Sequence, residues 1–181
     1  MDDALHDAAQ VLCRGGVVAH ACEGVWGLAC NPLNEAAVGR VLDVKGRPAA
    51  KGLIVIAASA DAFAAELGAL DEATAERIRA SWPGPVTWVV RSERFPNWIT
   101  GGRGTVAVRV PDHAQSRALS SAFGGPIVST SANRSGAPPC LTAESVREAL
   151  GDEIDYLLSG AIGDRSGPSR IIDAATGETL R

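Results

Sequence analysis

Apolar residues in this chain come in short bursts separated by polar or glycine-rich breaks, and the spacing within each burst distinguishes helix from strand. Leu5, Ala8, Ala9 and Leu12 recur at helical spacing and predict a helix over residues 2–14, ended by Gly15-Gly16. Val17 to His20 is a short strand, and ACEGVWGLACNP turns through glycines into a second around Val25 to Ala29. Asn34 is placed to cap a helix running to about Asp43, with Val38, Val41 and Leu42 facing inward. Leu53 to Ala58 is a continuous apolar run, too short for a membrane span and suited to a strand buried on both faces. Residues 60–80 predict one broken or two short helices, and Trp82-Pro83-Gly84-Pro85 a rigid turn.

The second half follows the same rhythm. Val86 to Arg91 and Thr105 to Val110 read as strands, with a glycine-bearing loop from Phe95 to Gly104 between them. A helix over residues 112–123 leads to a strand at Pro126 to Ser129 and directly into STSANRSGAPPC, a run of hydroxyls and glycine. Thr142, followed by Glu144 and Ser145, opens a helix over 142–150. A strand at Ile154 to Leu158, the long loop SGAIGDRSGPS, a strand at Arg170 to Ala174 and a terminal hairpin over 175–181 complete the chain. Interleaved strands and helices predict an α/β or mixed α+β class. The short gaps between some strands favour a twisted sheet of mixed parallel and antiparallel pairing with flanking helices. A length of 181 residues predicts a single domain over 1–181.

Composition narrows the function classes. A formal net charge of −4 argues against a surface that coats a nucleic acid backbone, yet leaves room for a local basic pocket holding a small anion. The acidic start MDDALHDAAQ lacks the layout of a signal peptide, and no apolar run approaches the ~20 residues of a membrane span. Cys13, Cys22, Cys30 and Cys140 form no CxxC pair or zinc-ribbon spacing, and three lie in or beside apolar runs, which predicts buried free thiols. A reducing cytoplasm is the expected location. His6, His20 and His113 lie far apart and are expected at the surface or in turns rather than on a metal.

No GxxxxGK[ST] loop, strand-following GxGxxG, GxSxG elbow or HExxH is present. What remains is a set of cations and hydroxyls at strand ends. Lys45, Arg47 and Lys51 crowd into seven residues just before the buried strand, where a rigid scaffold can hold their charge against a phosphate. Arg109, the run Ser129-Thr130-Ser131-Ala132-Asn133, and Ser169-Arg170 add further anion-binding groups. The residues alone also allow a solvated turn for the three cations, and a hydroxyl turn with a helix cap for STSAN. They lead to a nucleotide or phosphate site without specifying its chemistry.

DVKGRPAAKGLIVIAAS, SWPGPVTWVV, TVAVRVPDH and PIVSTSANRSG, in this order and spacing, closely resemble the YrdC/Sua5 family of threonylcarbamoyl-AMP synthases. The match runs from about residue 7 to the end and is to the short bacterial form rather than the longer Sua5 form. The resemblance implies a YrdC-like (RibB-like) fold with a deep basic cavity. It also implies an enzyme that converts L-threonine, bicarbonate and ATP, with Mg²⁺ carried on the ATP, into threonylcarbamoyl-adenylate and pyrophosphate. A partner threonylcarbamoyl transferase complex then modifies adenosine 37 of tRNAs reading ANN codons, and weak direct tRNA binding and no membrane are expected.

By the same resemblance, Lys45 and Arg47 are the catalytic cations. Lys45, Arg47, Lys51, Ser131, Asn133 and Thr105 line the ATP side, and Arg109, Ser129 and Ser169 the threonine side. Cys22 and Gly24 fall on the threonine side as well, as departures: the family has Pro-Thr-Glu where Ala21-Cys22-Glu23 stands, and Thr or Ala is common in place of Gly24. The longer relatives also carry a His where Ile56 stands. No metal ligand from the protein is implied. Two competing expectations remain: an RNA-binding (tRNA or rRNA) module or ribosome maturation factor without adenylate synthesis, and a carbamoyl-phosphate-dependent relative.

Overall fold

The computed structural model describes residues 2–165 and 167–181. Among them, helices α1 (Asp2–Cys13), α2 (Glu35–Val44), α3 (Ala64–Gly68), α4 (Glu72–Ala80), α5 (Asn97–Thr100), α6 (Ala114–Phe123) and α7 (Ala143–Leu150) interleave with nine strands. The strands are β1 (Val18–Ala21), β2 (Trp26–Ala29), β3 (Ile54–Ile56), β4 (Val86–Arg91), β5 (Thr105–Arg109), β6 (Ile127–Val128), β7 (Thr130–Ser131), β8 (Tyr156–Leu158) and β9 (Arg170–Asp173). They divide between two sheets, ordered β7-β2-β1-β8 and β6-β3-β5-β4-β9, rather than forming one. Both are mixed: β1 pairs antiparallel with β2 and parallel with β8, and β5 pairs parallel with β3 and antiparallel with β4. The mixed α/β class read from the sequence is the class observed.

Local chemistry accounts for the elements that carry the site. The Asn34 side chain accepts from Ala37 N at 3.0 Å and caps α2, whose Val38, Val41 and Leu42 are buried. Gly46 follows with φ +49°, a left-handed turn that glycine adopts without a Cβ penalty. That turn ends the helix and swings Lys45 and Arg47 away from its axis. The expected loop at 95–104 instead contains one helical turn, α5, started after Pro96 and stopped by left-handed Gly101. The expected terminal hairpin folds back on β9, with Leu180 N donating to Ile171 O at 2.8 Å.

Strand parity sorts the larger sheet into two unlike faces. Val55, Trp88, Val90, Val106, Val108 and Val128 are buried in one cluster with Val38, Val41, Phe63, Leu67 and Ile78. On the other face Ile56 and Ile127 pack with Val18, Ala29, Leu119, Leu158 and the α1 residues Ala8 and Leu12. That second face also carries Thr105, Arg109, Thr87 and Ser129, because each is in step with Ile54 and Ile56 by register or by alternation. The chain changes sheets across a single residue, Ser129, since β6 lies in one sheet and β7 in the other. Thr130 and Ser131 of the STSAN run therefore form a strand paired with β2 rather than a hydroxyl turn with a helix cap.

Candidate active site

The cationic loop after α2 meets the STSAN run directly. Lys45 Nζ donates to Ser131 O at 2.7 Å, to Ser131 Oγ at 3.2 Å and to Asn133 Oδ1. Ser131 Oγ also donates to Asn133 Oδ1 at 2.7 Å, and Asn133 Nδ2 to Ala137 O at 2.7 Å. Burial, and then the neighbouring Arg47 charge, bring the Lys45 ammonium down from 10.5 to about 8. Arg47 lies across a turn at Ala49–Lys51 and donates to Gly52 O at 2.9 Å and Lys51 O at 3.3 Å. From the other side Arg103 donates to Ala50 O at 3.0 Å and Lys51 O at 3.1 Å. Burial holds Arg47 below its ordinary value, as do the charges of Arg181 and Arg103 nearby. Lys51 is exposed at the end of the same turn.

A second group gathers where the β1–β2 turn of the smaller sheet meets the end of β5. Arg109 pairs with Glu23 through Nη2 and donates from Nε to Gly84 O at 2.7 Å. The other Glu23 oxygen accepts from Asp112 N at 2.7 Å, so the carboxylate is held from two sides. Cys22 is half-buried with Sγ 3.7 Å from the His20 ring, and Ser116 and Ser129 hydroxyls lie beside it. Burial above all pushes the Cys22 thiol up to about 12, so it stays neutral. His20, expected at the surface or in a turn, is fully buried on β1, and that burial lowers it to about 4. Its signal was its position within the apolar run VVAHAC. The expectation for the thiols holds for Cys30 and Cys140, while Cys13 is exposed, and all four are free.

The structure thus joins Lys45, Ser131 and Asn133 in one bonded group, sets Arg47 and Lys51 on one turn, and brings Cys22, Ser129 and Arg109 together. Thr105 shares a face with Arg109 but begins the strand that Arg109 ends, about 13 Å away. Ser169 is buried, with Oγ 2.8 Å from Thr87 Oγ1, and its carbonyl accepts from Arg181 Nη2 at 3.3 Å. Gly24 lies beneath residue 165: a Cβ there would overlap the Arg165 carbonyl oxygen. Glu23, Thr87, Arg103 and Arg181 escaped the sequence reading. Thr87 was detectable as the polar step inside VTWVVR, and Glu23 as the carboxylate within a small-residue turn; Arg103 and Arg181 had no local signal.

Among the described residues no group of three His, Cys, Asp or Glu side chains is arranged to hold a metal ion. No helix among them is long and apolar enough to cross a membrane.

Comparison with known proteins shows the family of this chain. The Sua5/YciO/YrdC family profile, described as telomere recombination, matches residues 10–181. A threonylcarbamoyl-AMP synthase of Halorhodospira halophila is 50% identical over 175 residues, covering 96% of this chain and 92% of its own length. That of Cellvibrio japonicus is 45% identical over 175 residues, covering 96% and 93%. The structure of P. abyssi Sua5 complexed with L-threonine superposes with a TM-score of 0.90 at 36% identity, covering 98% of this chain. This chain spans 53% of that Sua5, about half its length. E. coli YciO shares the fold at 20% identity, with a TM-score of 0.83. With a profile spanning nearly all of its length and relatives close to half identical, this chain belongs to the Sua5/YciO/YrdC family.

Proposed function

We propose that this chain is a nucleotidyltransferase that makes L-threonylcarbamoyl-adenylate and pyrophosphate from L-threonine, bicarbonate and ATP, with Mg²⁺ entering on the ATP. The observation that carries this reading is the junction at Ser129. On its one side stands a cation group, Lys45 bonded to Ser131 and Asn133 with Arg47 beside it; on the other stands Arg109, oriented by Glu23. The first suits a polyphosphate and the second a carboxylate, which are the two anions this reaction must hold side by side.

The reaction requires no protein nucleophile. Bicarbonate supplies carbon dioxide, the threonine nitrogen adds to it and loses a proton, and the product is a carbamate. One carbamate oxygen attacks the α-phosphorus, the bond from that phosphorus to the bridging oxygen breaks, and pyrophosphate leaves. Positioning and charge neutralisation dominate such a step. Lys45 and Arg47 offset the negative charge that moves onto pyrophosphate, each worth on the order of a hundredfold in rate. Ser131 and Asn133 aim the Lys45 ammonium. Arg109 uses Nε and Nη2 on Gly84 and Glu23, which fixes its plane and leaves its other N–H groups for the threonine carboxylate. Lys51 and Thr105 extend the ATP side, and Cys22, Gly24, Ser129 and Ser169 the threonine side. The adenylate then serves a threonylcarbamoyl transferase acting on tRNA in the cytoplasm. The RNA-binding alternative is not favoured, given relatives at 45–50% identity named as synthases.

Pyrophosphate release by the purified protein tests the reading. It is expected to require both L-threonine and bicarbonate beside Mg·ATP, with label from bicarbonate appearing on AMP. Release independent of threonine would defeat it. Arg47→Ala is expected to abolish turnover, at least a hundredfold, with an unchanged circular dichroism spectrum, because a phosphate cation is lost without removing core volume.

A further inference from the structure

The segment that follows β8, residues 159–165, carries glycines at 160 and 163, yet it is tied down along its length. Gln115 Nε2 donates to Ser159 O at 2.7 Å, and His113 Nε2 bonds Ala161 O at 3.1 Å. Gly163 N donates to Cys22 O at 2.9 Å and Arg165 N to Glu23 O at 3.0 Å. The segment is thus a strap running from the start of α6 onto the β1–β2 turn. It closes over the residues that flank Arg109.

The strap lies backbone against backbone. A Cβ on Gly163 would come within 2.7 Å of Glu23 O, and one on Gly24 would overlap Arg165 O. Gly24 has no left-handed φ to require glycine, so the reason for its missing side chain is the chain lying on top of it. This accounts for the departure at Gly24 noted in the sequence. A residue with a Cβ there would lift the strap by displacing the carbonyl of residue 165.

Charge gives the strap a chemical role. Glu23 neutralises Arg109, and the nearby Asp112 carboxylate is paired with Arg117 at 3.4 Å. Arg165 is held by its backbone on the turn that carries Glu23, N donating to Glu23 O at 3.0 Å, and its exposed side chain brings a second positive charge near Arg109. With Glu23 paired to Arg109 alone, the added charge of Arg165 leaves this end of the strap net positive, which suits one more carboxylate.

We propose that Arg165 is a substrate-binding residue, carried in by the strap to hold the α-carboxylate of the amino acid together with Arg109, and that Gly24 is what lets the strap seat. The identity of the amino acid rests on the synthase reading; the carboxylate seat does not. The test is calorimetric binding of L-threonine and of L-threoninol, which lacks the carboxylate, to the wild-type chain and to three variants. Arg165→Gln is expected to weaken threonine binding about tenfold while leaving threoninol binding and the KM for ATP unchanged. Arg165→Lys should restore part of that loss. Gly24→Ala should reproduce it with the arginine intact, and if that variant fails to fold, the two Arg165 variants still decide.

Threonine binding within about twofold of wild type in Arg165→Gln would overturn the proposal. So would an equal loss for both ligands, which would make the strap a matter of shape rather than charge. A wild-type chain that binds threonine through Arg165 yet forms no adenylate would end the synthase reading and leave the seat standing. Adenylate formation indifferent to Arg165 would do the reverse, and no threonine binding at all would end both.

Discussion

Lys45 sets the pH response of the proposed nucleotide site. Its folded value of about 8 lies below the ordinary 10.5 because burial, and then Arg47, disfavour the charged form. The ammonium is present below about pH 8 and is lost as pH rises through it. Affinity of the free protein for ATP is therefore expected to fall above about pH 8, with the bound complex titrating higher because phosphate restores the charge. In Lys45→Arg that alkaline decline should vanish, since guanidinium stays protonated. Calorimetric titration with ATP across the range checks both, and an unchanged decline in Lys45→Arg would remove Lys45 as its source. The same shift has a stability consequence of opposite sense. Between about 8 and 10.5 the unfolded chain holds a proton that the folded chain has released, so this group's contribution to stability rises with pH across that window.

At the level of elements, the site depends on how α5 and the glycines after it brace the cationic turn. Arg103 and Arg47 both donate to Lys51 O, at 3.1 and 3.3 Å, so the turn at Ala49–Lys51 is held between two guanidiniums. Gly101 follows α5 against the carbonyl of Ala50, where a Cβ would not fit. Arg103→Gln removes two charge-assisted bonds to that turn. The KM for ATP is expected to rise about tenfold with the KM for threonine unchanged, because the loosened backbone lies on the phosphate side alone. Steady-state kinetics in each substrate separates the two, and equal rises in both would show that the brace supports the whole site.

Over the whole molecule, the Glu23–Arg109 pair ties the two sheets together. Glu23 follows β1 of the smaller sheet and Arg109 ends β5 of the larger, and each side chain is 11% exposed. Removing one partner strands the other charge in a poorly hydrated place. Arg109→Ala is expected to cost about 3–5 kcal/mol in urea denaturation, and adding Glu23→Gln should recover part of it. A loss below about 1 kcal/mol would mean that the pair behaves as a surface contact.

Features that rest on local physics can be read from neighbouring residues along the chain. The strand Val86–Arg91 and the helices capped by Asn34 and Thr142 were legible because alternation, apolar periodicity and capping involve residues within a few positions of one another. The resemblance carried by four motifs picked out Lys45, Arg47 and the STSAN run as one functional group, and residues 45 and 131 do meet. The remaining features follow from contacts between distant parts of the chain. Nothing local shows that the strands divide into two sheets or that Ser129 is the crossing point. Arg109 and Glu23 lie 86 residues apart in the chain, and Gly24 meets a strap from more than a hundred positions away. Those contacts arise from strand register and sheet packing, which depend on the summed burial of residues scattered along the chain and so leave no trace in any short window of it.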